Sequence, residues 1–425
     1  MSRHAETQQT GEHGARRAGH LRDLNLERVL TVVMDRPVPF TRAEIVQATG
    51  LSVPTVGSLT TDLIRRGLLR DLGAGPSSGG RRPSFMEFNR RHGFVAGIDI
   101  GPTRTRLAVA DMRDEILARR IVPTVTTGGP AATLAHLATV LRDLLREAQA
   151  PPGRLLAVCA GAPGMVDLVR GEVLLAPNLE GWVNVPMRAI LERELGAPVI
   201  ADNDVNLAVL GEHWRGAARG HNTCVFLFVG TGIGAGVLID GAVHRGHHYM
   251  AGEVAVMAMG PQYVGQDFGS RGCFETLAGL EALAARWPKA REGSPEGWIA
   301  ELLEAANAGD EQASLAISET ATFIAMAVTN VGALLDPSLI VLGGAMFAKA
   351  QGLLCEVRRL VERITRAPIK VVLSELEKDA PLFGSLLLAA TEARRQLHLR
   401  LRQQPDRTQA RPARRPAVAR TRGAR

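Results

Sequence analysis

"FVAGIDIGPTRTRLAVADMRDEILA", Phe94–Ala118, reads as an apolar strand, a glycine turn and a second strand. Asp99 and Gly101 sit at the turn, with Thr103 and Thr105 beyond it. A β-hairpin of this kind can cradle phosphate. Its backbone N–H groups and hydroxyls face the anion, and its carboxylate can hold Mg²⁺ through water. Two more glycine turns follow in order. "FLFVGTGIGAGVLIDG" (226–241) carries Gly230, Thr231, Gly232, Gly234 and Gly236, and "LIVLGGAMF" (339–347) places Gly343 and Gly344 after an apolar strand. Glycine lets the backbone approach a ligand closely. One such turn is common, whereas three in order are a much stronger signal of a phosphate cleft. Between them, the apolar strand of "VIADNDVNLAVLGE" (199–212) ends in Asn203-Asp204 and a helix begins. A carboxylate there is poised to deprotonate a hydroxyl at a pocket mouth. The same pair could instead cap the helix.

The segment before this body has a different texture. "LNLERVLTVVMD" (24–35) spaces its apolar residues for a helix. In "FTRAEIVQATG" (40–50), Thr41 stands three residues before Glu44, the spacing of a capping box, and Gly50 ends the segment. "LSVPTVGSLTTDLIRRG" (51–67) offers Ser52 as cap and Pro54 in the first turn, and Gly67 stops it. "LLRDLG" and "SFMEFN" then flank the loop "AGPSSGGRRP". This order predicts a winged helix-turn-helix over residues 21–91. Its second helix would enter a major groove with Ser52, Val53, Pro54, Thr55 and Ser58, whose hydroxyls suit phosphate or base edges and whose methyls suit thymine. Arg81 and Arg82, at the base of the wing, would reach a minor groove or phosphate. The alternative use of such a fold is protein contact.

Charge supports a polyanionic partner. The 425 residues carry a net +7: residues 1–91 hold +5, residues 400–425 hold +8, and the middle is acidic at −6. Basic ends on an acidic body favour DNA. The Arg-rich segment 396–425 reads as a disordered, solubilising tail, with an accessory phosphate contact as the other reading. Residues 1–20 read as disordered, without a signal peptide's apolar run. No run of 18 apolar residues free of glycine and charge marks a membrane span. The scattered Cys159, Cys224, Cys273 and Cys355 read as reduced thiols of a cytoplasmic protein.

The ordered motifs "DIGPTRT", "GAPGMVD", "NDVN", "GTGIGAG", "AGE", "GCFE" and "VLGG" together resemble the ROK family of repressors, open reading frames and sugar kinases. The likeness spans nearly all of 92–395, and the repressor branch of that family carries a winged helix in front. It implies an α/β fold, a two-lobed actin-like ATPase (sugar kinase-like) body, and a homodimer or higher homo-oligomer. It also implies roles. Asp204 matches the kinases' catalytic base, Asn203 a sugar contact, and Glu253 and Glu275 the carboxylates that hold sugar hydroxyls. Asp99, Gly101, Thr103, Gly230, Thr231, Gly232, Gly343 and Gly344 match the nucleotide site.

The chain also departs from the pattern. Where the family has a histidine on sugar and zinc, Val256 stands, and Gln266 and Phe268 fill two of the zinc-cysteine positions, leaving Cys273. A structural zinc takes four nitrogen or sulfur ligands, so no metal is expected. Losing the histidine contact would cost about 1–3 kcal/mol of sugar binding. Pro102 replaces a glycine of the phosphate turn, which fixes φ and removes an N–H donor, so ATP is not expected either. Arg104 and Arg106 read as solvated strand residues, with anion binding as the other reading. The expected function is a non-enzymatic transcriptional regulator, a repressor of carbohydrate genes that binds an inverted repeat in double-stranded DNA and senses a sugar or sugar derivative. A sugar kinase with a regulatory head is the alternative, and a body serving only as a dimer platform is a third reading.

Overall fold

The computed structural model describes residues 21–74, 82–269, 271–291, 294–348 and 350–403. They form two compact units, one of residues up to Asn89 together with those from Arg394 on, the other Arg90–Ala393.

The first unit holds α1 (residues 21–34), β1 (Phe40–Thr41), α2 (Arg42–Thr49), α3 (Val53–Arg65), β2 (Leu69–Ala74) and β3 (Ser84–Phe88). The sheet runs β1-β3-β2. The sequence sets the helix ends as its caps predict. The Thr41 N–H donates to Glu44 at 2.7 Å, the Glu44 N–H donates to the Thr41 hydroxyl at 3.4 Å, and Gly50 closes α2 at φ 67°. Ser52 caps α3 by accepting from the Thr55 N–H at 3.3 Å. Asp62, buried on α3, accepts from Arg22 of α1 at 3.4 Å and from Arg66 at 3.1 Å, so one carboxylate ties the first helix to the third. β2 and β3 pair antiparallel with a bulge between Asp71 and Gly73. The Asp71 carboxylate accepts from the Gly73 N–H and the Ser84 hydroxyl, both at 2.9 Å, and holds the wing's base.

The second unit begins with β4 (Phe94–Ile100), β5 (Arg104–Asp111), β6 (Ile116–Pro123), α4 (Gly129–Glu147) and β7 (Leu155–Ala162). A small sheet of β8 (Met165–Asp167), β9 (Glu172–Leu175) and β10 (Val183–Val185) follows, then α5 (Met187–Leu195) and β11 (Val199–Asn203). The long strands lie in the order β11-β7-β4-β5-β6, with β4, β5 and β6 antiparallel and β7 and β11 parallel to β4. α6 (Asp204–Arg215) leads to the second lobe, whose strands are β12 (Cys224–Val229), β13 (Ile233–Ile239), β14 (Ala242–Val243), β15 (Leu339–Gly343) and β16 (Val371–Leu373). Their order is β14-β13-β12-β15-β16, again an antiparallel meander followed by two parallel strands. The body is therefore two copies of one sheet plan. A glycine turn follows the first strand in each.

Between β14 and β15 come α7 (Cys273–Ala278), α8 (Leu280–Arg286), α9 (Pro295–Asn307) and α10 (Glu311–Leu335). α11 (Gln351–Ile364) joins β15 to β16, and α12 (Ala380–Gln403) is last. α10 is long and apolar enough to cross a bilayer by composition. Its Ala321, Ile324, Ala325 and Val328 are instead buried in the second lobe's core with Leu342, Phe347 and Leu354. The start of α12 packs on the first lobe. A Cβ on Gly384 would lie 1.8 Å from the Leu207 carbonyl oxygen, so only glycine admits this helix so close to α6. α12 corrects one expectation. It runs to Gln403, through residues 396–403 that the Arg-rich composition suggested were disordered. The reason is a helical apolar spacing among the arginines: Ala393, Leu397 and Leu401 are all buried.

Candidate functional site

A cavity of about 1140 Å³ lies between the lobes of the body. Asp99, Gly101, Pro102 and Thr103 line it from the first lobe. Phe226, Phe228, Gly343 and Gly344 line it from the second, with Asp204 at the start of α6. The hairpin turn after β4 is tight: the Gly101 N–H donates to the Arg104 carbonyl at 3.1 Å, and the Thr124 hydroxyl donates to the Gly101 carbonyl at 2.7 Å. Strand alternation on β12 sends Phe226 and Phe228 to the cleft side. The Phe228 ring lies over Gly230 and the Phe226 ring over Gly343. Two of the three glycine turns thus carry an aromatic ring.

Arg106 differs from the sequence expectation. It is not solvated. The antiparallel register sets it directly opposite Asp99, and its Nη1 donates to Asp99 Oδ2 at 3.2 Å with the carboxylate buried. Two-residue periodicity puts position 106 on the same face as position 99, the face turned to the cleft. Arg104 remains exposed.

The four carboxylates read from the sequence form a chain. Burial pushes Asp204 up to about 7, with repulsion from Asp99 and Glu253 adding to it and the Val205 N–H opposing it. Burial likewise pushes Asp99 up to about 6 against the pull of Arg106. Glu253 is raised by burial and by Glu275, and Glu275 by burial against the Ile233 N–H that it accepts at 2.9 Å. A carboxyl that takes up its proton near neutral pH, as those of Asp204 and Asp99 do, can both accept from and donate to hydroxyls, the chemistry a polyol needs. Gly232 lies beside this cluster: a Cβ there would be 3.5 Å from Glu275 Oε2 and 3.3 Å from Asn178 Nδ2. Gly230, Thr231 and Gly232 do not line the large cavity.

Asn203 takes the capping role. Its Oδ1 accepts from the Val205 and Asn206 N–H groups at 2.9 Å each, and its Nδ2 donates to the Gly164 carbonyl at 2.8 Å. One amide hydrogen remains for a ligand. Two residues that the sequence reading passed over support the site. Asn178 reaches across to the second lobe's turn. Arg245 donates through Nε to the buried Asp202 Oδ1 at 3.3 Å and pairs with its other oxygen, which fixes the segment leading to Glu253 against the end of β11. The tripeptide Ala201-Asp202-Asn203 hinted at this, since a buried aspartate beside a strand end calls for a cation.

The metal position of the resemblance offers the wrong donors. Gly272, at φ +83°, brings the start of α7 against Ala255, where a Cβ would meet the carbonyl oxygen at 2.6 Å. Cys273 is buried there. Around it the sequence supplies Val256, which is 63% exposed, Gln266 and Phe268. Phe268 packs edge-on to Tyr263 at 6.3 Å, and Tyr263 to Phe323 of α10 at 6.4 Å. An aromatic cluster holds this loop, and one thiol does not fit a tetrahedral zinc.

In the first unit, Ser52, Val53, Pro54 and Ser58 are exposed, and Thr55 is half-buried. The Ser52 and Thr55 hydroxyls are 2.8 Å apart and partly committed to the cap. Thr61 and Arg65, exposed one and two turns on from Ser58, extend the same face and were missed. Arg82 is exposed, and Arg81 lies outside the described residues.

A winged helix on a duplicated, two-lobed body with carboxylates at the cleft defines a sugar kinase-like protein with a DNA-binding type of head. The ROK family profile matches residues 95–392, and the chain belongs to that family. It is 27% identical over 387 residues to the xylose repressor of Caldicellulosiruptor bescii, covering 88% of this chain and 96% of that protein. The ROK hexokinase of Thermus thermophilus superposes with a TM-score of 0.61 at 31% identity, over 71% of this chain and 99% of that one. A ROK transcriptional regulator described as a homologue of the Escherichia coli MLC protein superposes with a TM-score of 0.71 at 22% identity, over 90% and 99%; this last likeness bears on the fold alone.

Proposed function

We propose that the protein is a cytoplasmic transcriptional repressor, acting as a homodimer, whose head binds an inverted repeat in double-stranded DNA and whose body senses a sugar. The observation that carries this reading is the split character of the cleft. The carboxylates that suit sugar hydroxyls are assembled, while the phosphate turn holds Pro102 and an internal Arg106–Asp99 pair. The repressor named above, similar over nearly its whole length, supports it. A sugar shifts DNA affinity by its differential affinity for two states of the body.

The test is recovery of genomic fragments on the purified protein, with and without D-xylose or D-glucose. A few sites sharing an inverted repeat, released by one sugar, are expected. Recovery that follows salt alone and ignores sugar would sink the reading. The chain is also proposed to need no zinc. Prolonged EDTA treatment should leave Tm within about 1 °C, whereas a zinc-held loop would lose a large part of its folding energy. A fall of several degrees with metal release would overturn that. The kinase reading draws on Asp204 at the cleft mouth. ADP release with a hexose panel is expected at background, and turnover abolished by Asp204→Asn would establish catalysis instead.

A further inference from the structure

Arg106 stands in a chain of alternating charge. Its Nη1 is 3.2 Å from Asp99, its Nε is 3.8 Å from Asp379, and Asp379 also accepts from Arg119 at 2.6 Å. Arg106 is 17% exposed and the Asp99 side chain 6%. Asp204 lies close enough to feel Asp99. Without the guanidinium, Asp379 would keep Arg119, but Asp99, with Asp204 nearby, would leave uncompensated negative charge in a partly buried wall beside the Gly101 turn. A metal-dependent phosphate site satisfies such a wall with a divalent cation brought by the nucleotide. Here the hairpin register delivers a cation covalently, and guanidinium cannot be deprotonated in a protein.

We propose that Arg106 is an internal cation standing in the place a divalent ion would take beside Asp99, closing this part of the cleft to metal-bound nucleotide. Pro102, which removes an N–H from the same turn, and the Phe228 ring over Gly230 act in the same direction. The inference deepens the sensor reading: the cavity stays open, but its cation position beside Asp99 is taken by a side chain of the chain itself.

The experiment uses the full chain and Mn²⁺, whose free ion is counted by its electron-spin resonance signal and whose binding raises Tm by mass action. Wild type is expected to bind no Mn²⁺ above background. Arg106→Ala should melt lower than wild type in EDTA, take up one Mn²⁺ at millimolar concentration, and recover most of the lost Tm. Arg106→Gln, which removes the charge but keeps part of the side chain's length and an N–H donor, provides the same readout if the alanine variant folds poorly. Arg106→Lys keeps the charge and should bind no ion. Adding Asp99→Asn to either neutral variant should abolish uptake. The proposal is overturned by wild-type Mn²⁺ uptake equal to that of the neutral variants, or by neutral variants that bind none. Neither result involves sugar or DNA. Failure of the sensor reading shows separately, as a wild type whose Tm and DNA affinity ignore D-xylose and D-glucose.

Discussion

Ser58→Asp is expected to weaken operator binding about 100-fold at physiological salt, with Tm within about 1–2 °C of wild type. Ser58 is exposed on α3 and outside the cap that occupies Ser52 and Thr55. It lies one helical turn beyond Pro54 and one before Thr61, on the face proposed to enter the groove. A carboxylate there removes a hydroxyl contact and sets negative charge against phosphate. A lost or mismatched contact of this kind costs roughly 1–3 kcal/mol. In the proposed homodimer each head carries the change, so about 1.4 kcal/mol per head compounds to a factor of about 100. The sugar-induced shift in Tm should be untouched, because the body is unchanged. Mobility shift or fluorescence anisotropy on the recovered operator reads the outcome. Affinity retained within about threefold would remove α3 from the interface, given that even one misplaced contact is worth tenfold.

What the sequence made legible was local. Capping residues, glycine turns and apolar runs act within a few positions, so the helix-turn-helix, the three turns and the "ND" pair could be read before any tertiary contact was known. The strand–turn–strand reading of this hairpin also carried the missed information about Arg106. Once the turn is fixed at Gly101–Thr103, antiparallel pairing sets residue 106 against residue 99. What could not be read was that this face points into the molecule, which depends on the second lobe and on Asp379, far along the chain. The shared order of the two sheets was hidden for a related reason. Each lobe fills its own core with different side chains and connects its strands with different helices, so the plan repeats where the sequence does not. At the end of α12, composition masked periodicity: the arginines of residues 396–425 dominate that segment's count, while Leu397 and Leu401 keep the buried stripe. Asn203 carried two compatible readings, and its hydrogen bonds favour the cap.

Asp204→Asn should have two effects of opposite sign. Asp204 is held up to about 7 by burial first and by Asp99 next, far above a carboxylate in the unfolded chain at about 3.9. Between those values the folded state binds the proton and the unfolded state does not, so stability falls as pH rises through that window. The whole penalty is in place above about pH 7 and vanishes below about pH 4. Asparagine carries no charge to desolvate or to repel Asp99 and Glu253. The variant should therefore melt about 3–6 °C above wild type at pH 8, with the difference shrinking toward zero near pH 4. Ligand response should move the other way. A sugar hydroxyl donating to Asp204 favours the ionised form, so wild-type affinity for the active sugar should rise from pH 6 to pH 8. Asparagine keeps an acceptor but loses the charge-assisted bond, and sugar affinity should drop by an order of magnitude or more and become flat with pH. A residue with only a structural role gives one sign: loss of stability with loss of binding. Gain of Tm with loss of sugar response separates the two. A variant that melts below wild type at pH 8 would show that Asp204 is held ionised by partners stronger than its burial, and its raised pKa would have to be abandoned.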